Sequence, residues 1–204
     1  MKTSIKTLIV IALAVITLTA VVPNNLRATE KNTTMLYKIQ NFRKIVIKGN
    51  VEVMLVQRPA IGISFADDNA GNVKVTQQGV ILRITSLNKE KCKLVIYVND
   101  IYRIEADENA IVKTETKLST KFLQIILKGN AFADIDTSSE GLYTQILDNS
   151  TLKLKGNTNH HTLVMGKASN LTIDRFAATR TDVSQLENKA EEIVALVPSS
   201  VQIK

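Results

Sequence analysis

Few residues in this 204-residue chain have the chemistry to act on a ligand. His160 and His161 are its entire histidine content, and Cys92 is its single thiol. Two pairs of acids stand one residue apart, Asp134 with Asp136 and Glu105 with Asp107. Residues i and i+2 of a strand share a face, so either pair could serve one ligand, as the two carboxylates of a glycosidase or as oxygen donors to calcium. The competing expectation is that these acids only solvate an outer sheet face. The Gly-Asp-rich calcium repeat is missing, which favours that second reading. Adjacent histidines on a strand point to opposite faces and cannot both ligate one metal. Following Gly156-Asn157-Thr158-Asn159, they are expected at a corner in solvent. Cys92 alternates with Leu94, Ile96 and Val98, which makes it a small buried hydrophobe. One Cys forms no intramolecular disulfide and has no zinc-site spacing. Asn149-Ser150-Thr151 and Asn170-Leu171-Thr172 match the glycosylation pattern but read here as turn chemistry. There is no Gly-rich phosphate loop and no nucleophile motif. The chain is therefore expected to be no enzyme, with no metal site and no cofactor, and with binding residues that the sequence leaves unknown.

The elements that must position these side chains are strands. Alternation of period two dominates: Val51, Val53 and Leu55 share a face, as do Val80, Leu82 and Ile84. Val73 and Val75 precede Gly79, so residues 72–86 read as a hairpin turning at that glycine. From about residue 105 a second pattern appears. A short polar signal with Asn or Gly precedes each alternating run, at Asn109, Asn130, Asn149, Asn170 and more weakly Asn188. The spacing stays near twenty residues, with a second short strand per unit at 122–127, 142–147, 162–165 and 181–186. A period near twenty with two strands per repeat is a solenoid signature, because each unit needs neighbours above and below to bury its apolar row. Asn and Gly would take the left-handed corner backbone, and stacked Asn side chains could form a ladder. The expected fold class is all-β: antiparallel N-terminal strands over 35–104 leading into a parallel β-helix-like stack over 105–197. Ordinary sandwich strands are the alternative.

The first residues read as an address. Lys2 and Lys6 precede an uncharged apolar run over residues 7–22, and Pro23 follows it. That is the pattern of a signal peptide, expected over 1–28 with the cleavage site undetermined. The run is short for a bilayer-spanning helix, so a retained N-terminal anchor is the lesser expectation. A single domain would then occupy 29–204. Loss of Lys2, Lys6 and Arg27 lowers the net charge from +7 to +4. With that excess scattered among acids and only 4% aromatic residues, nucleic-acid binding is not expected.

The run Phe42-Arg43-Lys44-Ile45-Val46-Ile47-Lys48-Gly49-Asn50-Val51-Glu52-Val53-Met54-Leu55-Val56-Gln57 resembles the opening strands of the head GIN domains described as autotransporter adhesins. These are exported bacterial domains of unknown function. The hairpin over 72–86, the stretch Val98-Asn99-Asp100-Ile101-Tyr102-Arg103-Ile104 and the Asn or Gly corners fit the same layout, across about 35–197. Two features depart from it. Corners here often carry Asn, Asp or Glu where the family tends to have Gly-Ser or Gly-Ala. The chain also ends Pro198-Ser199-Ser200-Val201-Gln202-Ile203-Lys204 without a Gly-rich closing strand, so its last coil is expected to be incomplete or differently capped. The resemblance implies an extracytoplasmic β-solenoid with an adhesive role, in the periplasm or at the cell surface, and brings no catalytic residues. The expected role is a non-catalytic envelope interaction module with an envelope, host-surface or glycan partner. A periplasmic or surface glycan- or ligand-binding protein is the alternative, disfavoured by the lack of Trp, and a β-solenoid hydrolase is the weakest.

Overall fold

A computed structural model of the chain describes residues 39–66 and 72–185. The expected signal peptide over 1–28, the corner at Asn188 and everything from residue 186 onward lie outside the described residues. Within them the chain is all-β, with no α-helix. The strands are β1 (Lys44–Lys48), β2 (Val51–Gln57), β3 (Gly62–Phe65), β4 (Val73–Gln78), β5 (Ile81–Ser86), β6 (Cys92–Val98), β7 (Arg103–Asp107), β8 (Ile111–Thr114), β9 (Leu118–Leu127), β10 (Phe132–Ile146), β11 (Thr151–Met165) and β12 (Asn170–Gln185). All belong to one mixed sheet.

β10 is the pivot of that sheet. Its first residues, Phe132 to Asp134, pair with β8, and its later ones, Thr137 to Ile146, pair with β9. From β8 the sheet continues through β2 and β6 to β3, and from β9 through β7, β1 and β5 to β4. β11 then pairs along nearly the whole of β10, and β12 along β11. Two walls result, meeting along the bends of the long strands. Alternation aims one side chain in two into the space between them. Ile45, Ile47, Val53, Leu55, Leu82, Ile84, Ile96, Ile104, Val112, Ile125, Ile135 and Leu154 are all fully buried. Each such burial is worth about 1.5–3 kcal/mol, and only the stacked neighbours provide it. Cys92 is likewise buried and faces inward, as the alternation implies.

The registers repeat. Ile111 pairs with Phe132, Arg103 with Gln124, Leu118 with Thr137, and Phe132 with Thr151, so successive strands are offset by 19 to 21 residues. A one-residue bulge shifts the last register: Leu154 pairs with Ile173 but Gly156 with Phe176, and Arg175 takes a φ of 52°. The expected hairpin forms, with β4 and β5 antiparallel about Gly79.

Three expectations need correcting. The strands over 35–104 are not mainly antiparallel. Only β4–β5 and β3–β6 are, whereas β1 pairs in parallel with β5 and β7, and β2 with β6 and β8. Alternation reports which face a residue takes and is blind to strand direction. The later repeats do not each hold two separate short strands either. β10, β11 and β12 run unbroken through the second bend, because no Pro interrupts them and inter-strand hydrogen bonding carries on around it. Only β8 and β9 are separated, across Glu115-Thr116-Lys117.

The third correction concerns the corners. At three corners the left-handed position falls on the residue before the Asn: Gly129 (φ 62°) is an expected glycine, but Glu108 (φ 61°) and Asp148 (φ 54°) take it in place of Asn109 and Asn149, and no such residue precedes Asn170. Asn109, Asn130 and Asn149 are exposed, and the residue after each, Ala110, Ala131 or Ser150, is buried because only a small side chain fits inside the turn. Corner backbones stack as strands do: Asn130 N–H donates to the Glu108 carbonyl at 2.7 Å and Asn149 N–H to the Gly129 carbonyl at 3.0 Å. The side-chain ladder is one step, Asn130 Nδ2 donating to Asn109 Oδ1 at 3.3 Å. A Cβ on Gly129 would stand 2.9 Å from the Glu108 backbone nitrogen, so glycine there satisfies both the φ and the close approach.

Candidate functional site

The acid pairs emerge on outer faces, as the i, i+2 spacing requires, and each carboxylate meets a cation one strand away. Asp134 binds Lys155 Nζ at 3.1 Å, and Glu105 binds Lys44 Nζ at 2.7 Å and Arg103 at 3.2 Å. Asp107 lies 4.0 Å from Lys48, which also holds Glu108 at 3.2 Å. Asp136 lies 4.0 Å from Lys117, and its backbone N–H donates to Thr114 Oγ1 at 2.9 Å. Glu52, on the same wall as Asp134, accepts from Lys113 at 2.8 Å, and that bond holds its carboxyl below the usual range. The parallel register sets these pairs, since it places Met54 beside Lys113 and Asp136 beside Lys155. A carboxylate already engaged with an ammonium is a poor start for a glycosidase pair. Among the described residues no group of three or more His, Cys, Asp and Glu side chains could hold a metal ion.

The histidines separate as the strand geometry demands, but not at a corner. Both lie within β11, where inter-strand pairing continues through 156–161. His160 points outward and its Nε2 sits 3.1 Å from Asp182 Oδ2. His161 points inward, 1% exposed, with Nε2 2.8 Å from Thr144 Oγ1 and its ring edge-on to Phe176 at 5.5 Å. Burial pushes its pKa below the ordinary value, and neighbouring His160 adds to the shift. Asn149 occupies an exposed corner and Asn170 opens β12.

The feature that sequence reasoning missed is a groove on the opposite wall. Parallel register aligns Phe122, Gly141, His160 and Arg180 in one outward row. Gln124, Tyr143, Thr162 and Asp182 form the next row, two residues along each strand. Neighbouring positions of a sheet are ~4.8 Å apart across strands and ~6.6 Å along them, so Phe122 and Tyr143 stand diagonally, on adjacent strands and adjacent rows. The groove has a volume of about 370 Å³. Phe122 is 56% exposed, the aromatic member of a set of exposed large hydrophobics that also holds Leu87, Ile173 and Val183. Its ring leans over Gly141: a Cβ there would lie 2.7 Å from Phe122 Cδ1. The space a side chain would take at Gly141 is thus filled by the Phe122 ring, which lies down against the sheet and forms one side of the groove. The rim is polar, with Gln124, Glu140, His160 and Thr162. A Gly inside a strand signals close approach of another group, and with Phe122 in the outward phase this was the available sequence clue.

This combination defines a class: an all-β domain whose outer faces are charge-paired or grooved and in which the described residues assemble no catalytic set. A family model described as "Putative auto-transporter adhesin, head GIN domain" matches residues 41–186. The chain belongs to that family. Similar solved structures include a "putative adhesin" from Bacteroides fragilis, 22% identical over 73% of each chain with a TM-score of 0.65. A "putative lipid binding protein" from Parabacteroides distasonis is 10% identical over 73% of this chain and 76% of its own, at 0.55. A "putative adhesin" from the same species is 9% identical over the same shares, at 0.54. These likenesses show the fold. No curated protein matches the chain in sequence.

Proposed function

We propose that this protein is an exported, non-catalytic interaction module of the cell envelope, engaging its partner through the outward face of β9, β10 and β11. The observation that carries the reading is the contrast between acid pairs in which Asp134 and Glu105 are each held by a lysine and a groove whose aromatic ring stays exposed. Family membership and the apolar, Lys-led N-terminus support export. We read the architecture as a single β-solenoid domain over 29–204 behind a signal peptide over 1–28. The 19- to 21-residue parallel registers and stacked corners support the solenoid.

Protease shaving of intact and permeabilised cells, followed by immunoblotting, tests the reading. Digestion on intact cells is expected of a surface adhesin, and protection until the outer barrier is opened would place the partner in the periplasm. Protection that persists until the inner membrane is lysed would contradict export and the envelope role with it.

A further inference from the structure

We propose that the groove of Phe122, Gly141 and Tyr143 is a saccharide subsite that takes one ring of a neutral glycan. The proposal rests on the reading of this face as the interaction surface and names what it binds. A pyranose presents a face of C–H groups and a perimeter of hydroxyls. The groove matches both: an aromatic lining from Phe122 and Tyr143, and a rim where the amide N–H groups of Gln124, whose Oε1 already accepts from Arg103 Nε at 2.6 Å, the hydroxyl of Thr162 and the Nδ1 of His160, whose Nε2 faces Asp182 at 3.1 Å, can hydrogen-bond a ligand. C–H groups packed on aromatic faces provide apolar contact, and a few placed polar groups fix orientation. Gly141 is the shape element, since it lets the Phe122 ring lie against the sheet, and any larger residue would push that ring away from its place in the groove.

The rim charges argue for a neutral sugar. Glu140 faces Lys121 at 4.0 Å, and Asp182 is shared by His160 at 3.1 Å and Arg180 at 3.0 Å. An anionic sugar would have to displace one of these carboxylates to gain a cation. An acyl chain would leave the polar groups of Gln124, Glu140, His160 and Thr162 around the groove without partners.

The test uses the purified full chain on a printed array of neutral oligosaccharides, followed by saturation-transfer NMR with the methyl glycoside of the sugar retained best. The expected result is selective retention, with saturation reaching C–H protons on one face of the ring. Phe122→Ala and Gly141→Val should each weaken binding roughly tenfold or more, as loss of a central aromatic anchor does at recognition surfaces. Lys74→Ala on distant β4 should bind as the parent does. Thermal melts of each variant identify unfolding, and Phe122 is exposed enough for its removal to leave the fold intact. No retention of any neutral glycan overturns the proposal, as does undiminished binding by folded Phe122→Ala. If the protein binds envelope preparations in either case, the interaction role stands and only the sugar assignment falls.

Discussion

Two outer faces of this sheet are built from the same parallel register and put it to different uses. On the wall of β2, β8 and the first parts of β10 and β11, outward positions carry Glu52, Lys113, Asp134 and Lys155, joined in pairs at 2.8 and 3.1 Å. On the wall of β9 and the later parts of β10 and β11, the same spacing carries Phe122, Gly141, Tyr143 and His160. On the first face Glu52 and Asp134 are held by lysines, and Asp136 keeps a buried carboxylate oxygen without a hydrogen-bond partner, with Lys117 4.0 Å away. The second leaves an aromatic ring and a niche exposed to solvent. A stack of equivalent strands can therefore hold a structural face and a recognition face side by side, differing only in which residue types occupy the outward phase.

The strongest way to break this comparison is to disturb the bend shared by both walls. Gly156 has a φ of 98°, and a Cβ there would fall on the Thr137 carbonyl oxygen. Gly156→Ala should destabilise by about 3 kcal/mol, combining a left-handed strain with backbone displacement, and a denaturant melt would show it. A melt within 0.5 kcal/mol of the parent would mean that the bend relaxes freely and the walls are not coupled there.

Next in size is the buried imidazole behind the recognition face. Thr144→Val keeps the shape but removes the group that faces His161 Nε2. It should cost about 1–3 kcal/mol, the penalty for a buried polar atom left without its partner. The same histidine sets a pH dependence. Its folded pKa is depressed below 6.5, chiefly by desolvation, so on acidification the unfolded chain takes up the proton first. Its contribution is intact above about pH 6.5 and is lost as the pH falls below it. Melting temperature should drop across that window in the parent and drop less in His161→Phe. Equal pH profiles would show that the imidazole titrates freely and that the core there is open to water.

The smallest effect should come from the structural face. Lys113→Met removes the partner of Glu52, both side chains being partly solvated, and should cost about 0.5–1 kcal/mol at neutral pH. Because the Glu52 carboxyl is held below its ordinary 4.5, the stability it contributes is present above that pH and is lost as the pH falls through the folded value. The difference between variant and parent should therefore shrink in acid. A difference that persists well below that range would point to lost packing of the lysine stem.

Alternation in Val51-Glu52-Val53 or Leu94-Val95-Ile96 made the all-β class and most of the core legible, because a sheet fixes the face of every second residue. The near-twenty spacing of Asn109, Asn130 and Asn149 located the corners. It placed the left-handed residue rightly at Gly129 and one position late at the corners of Glu108 and Asp148, since an exposed Asn and a left-handed acid look alike without the backbone. Strand direction was illegible for β1 and β2, whose partners lie 37 to 59 residues along the chain at Leu82 and Ile111. The acid pairs drew attention through side-chain type, yet their lysine partners stand on other strands. The groove was hidden for the same reason: Phe122 and Tyr143 become neighbours only once the register brings Gly141 between them.

The most direct test of the central claim sets the two faces against each other in one binding experiment. Asp134→Asn/Asp136→Asn alters the acid pair, and Phe122→Ala/Tyr143→Ala strips the groove. Both double variants, matched for folding by their melts, would be compared with the parent on the neutral-glycan array. The account predicts parent-level retention for the acid variant and background retention for the groove variant. Loss of binding by the acid variant, with the groove variant unaffected, would contradict it and move the functional surface to the opposite wall.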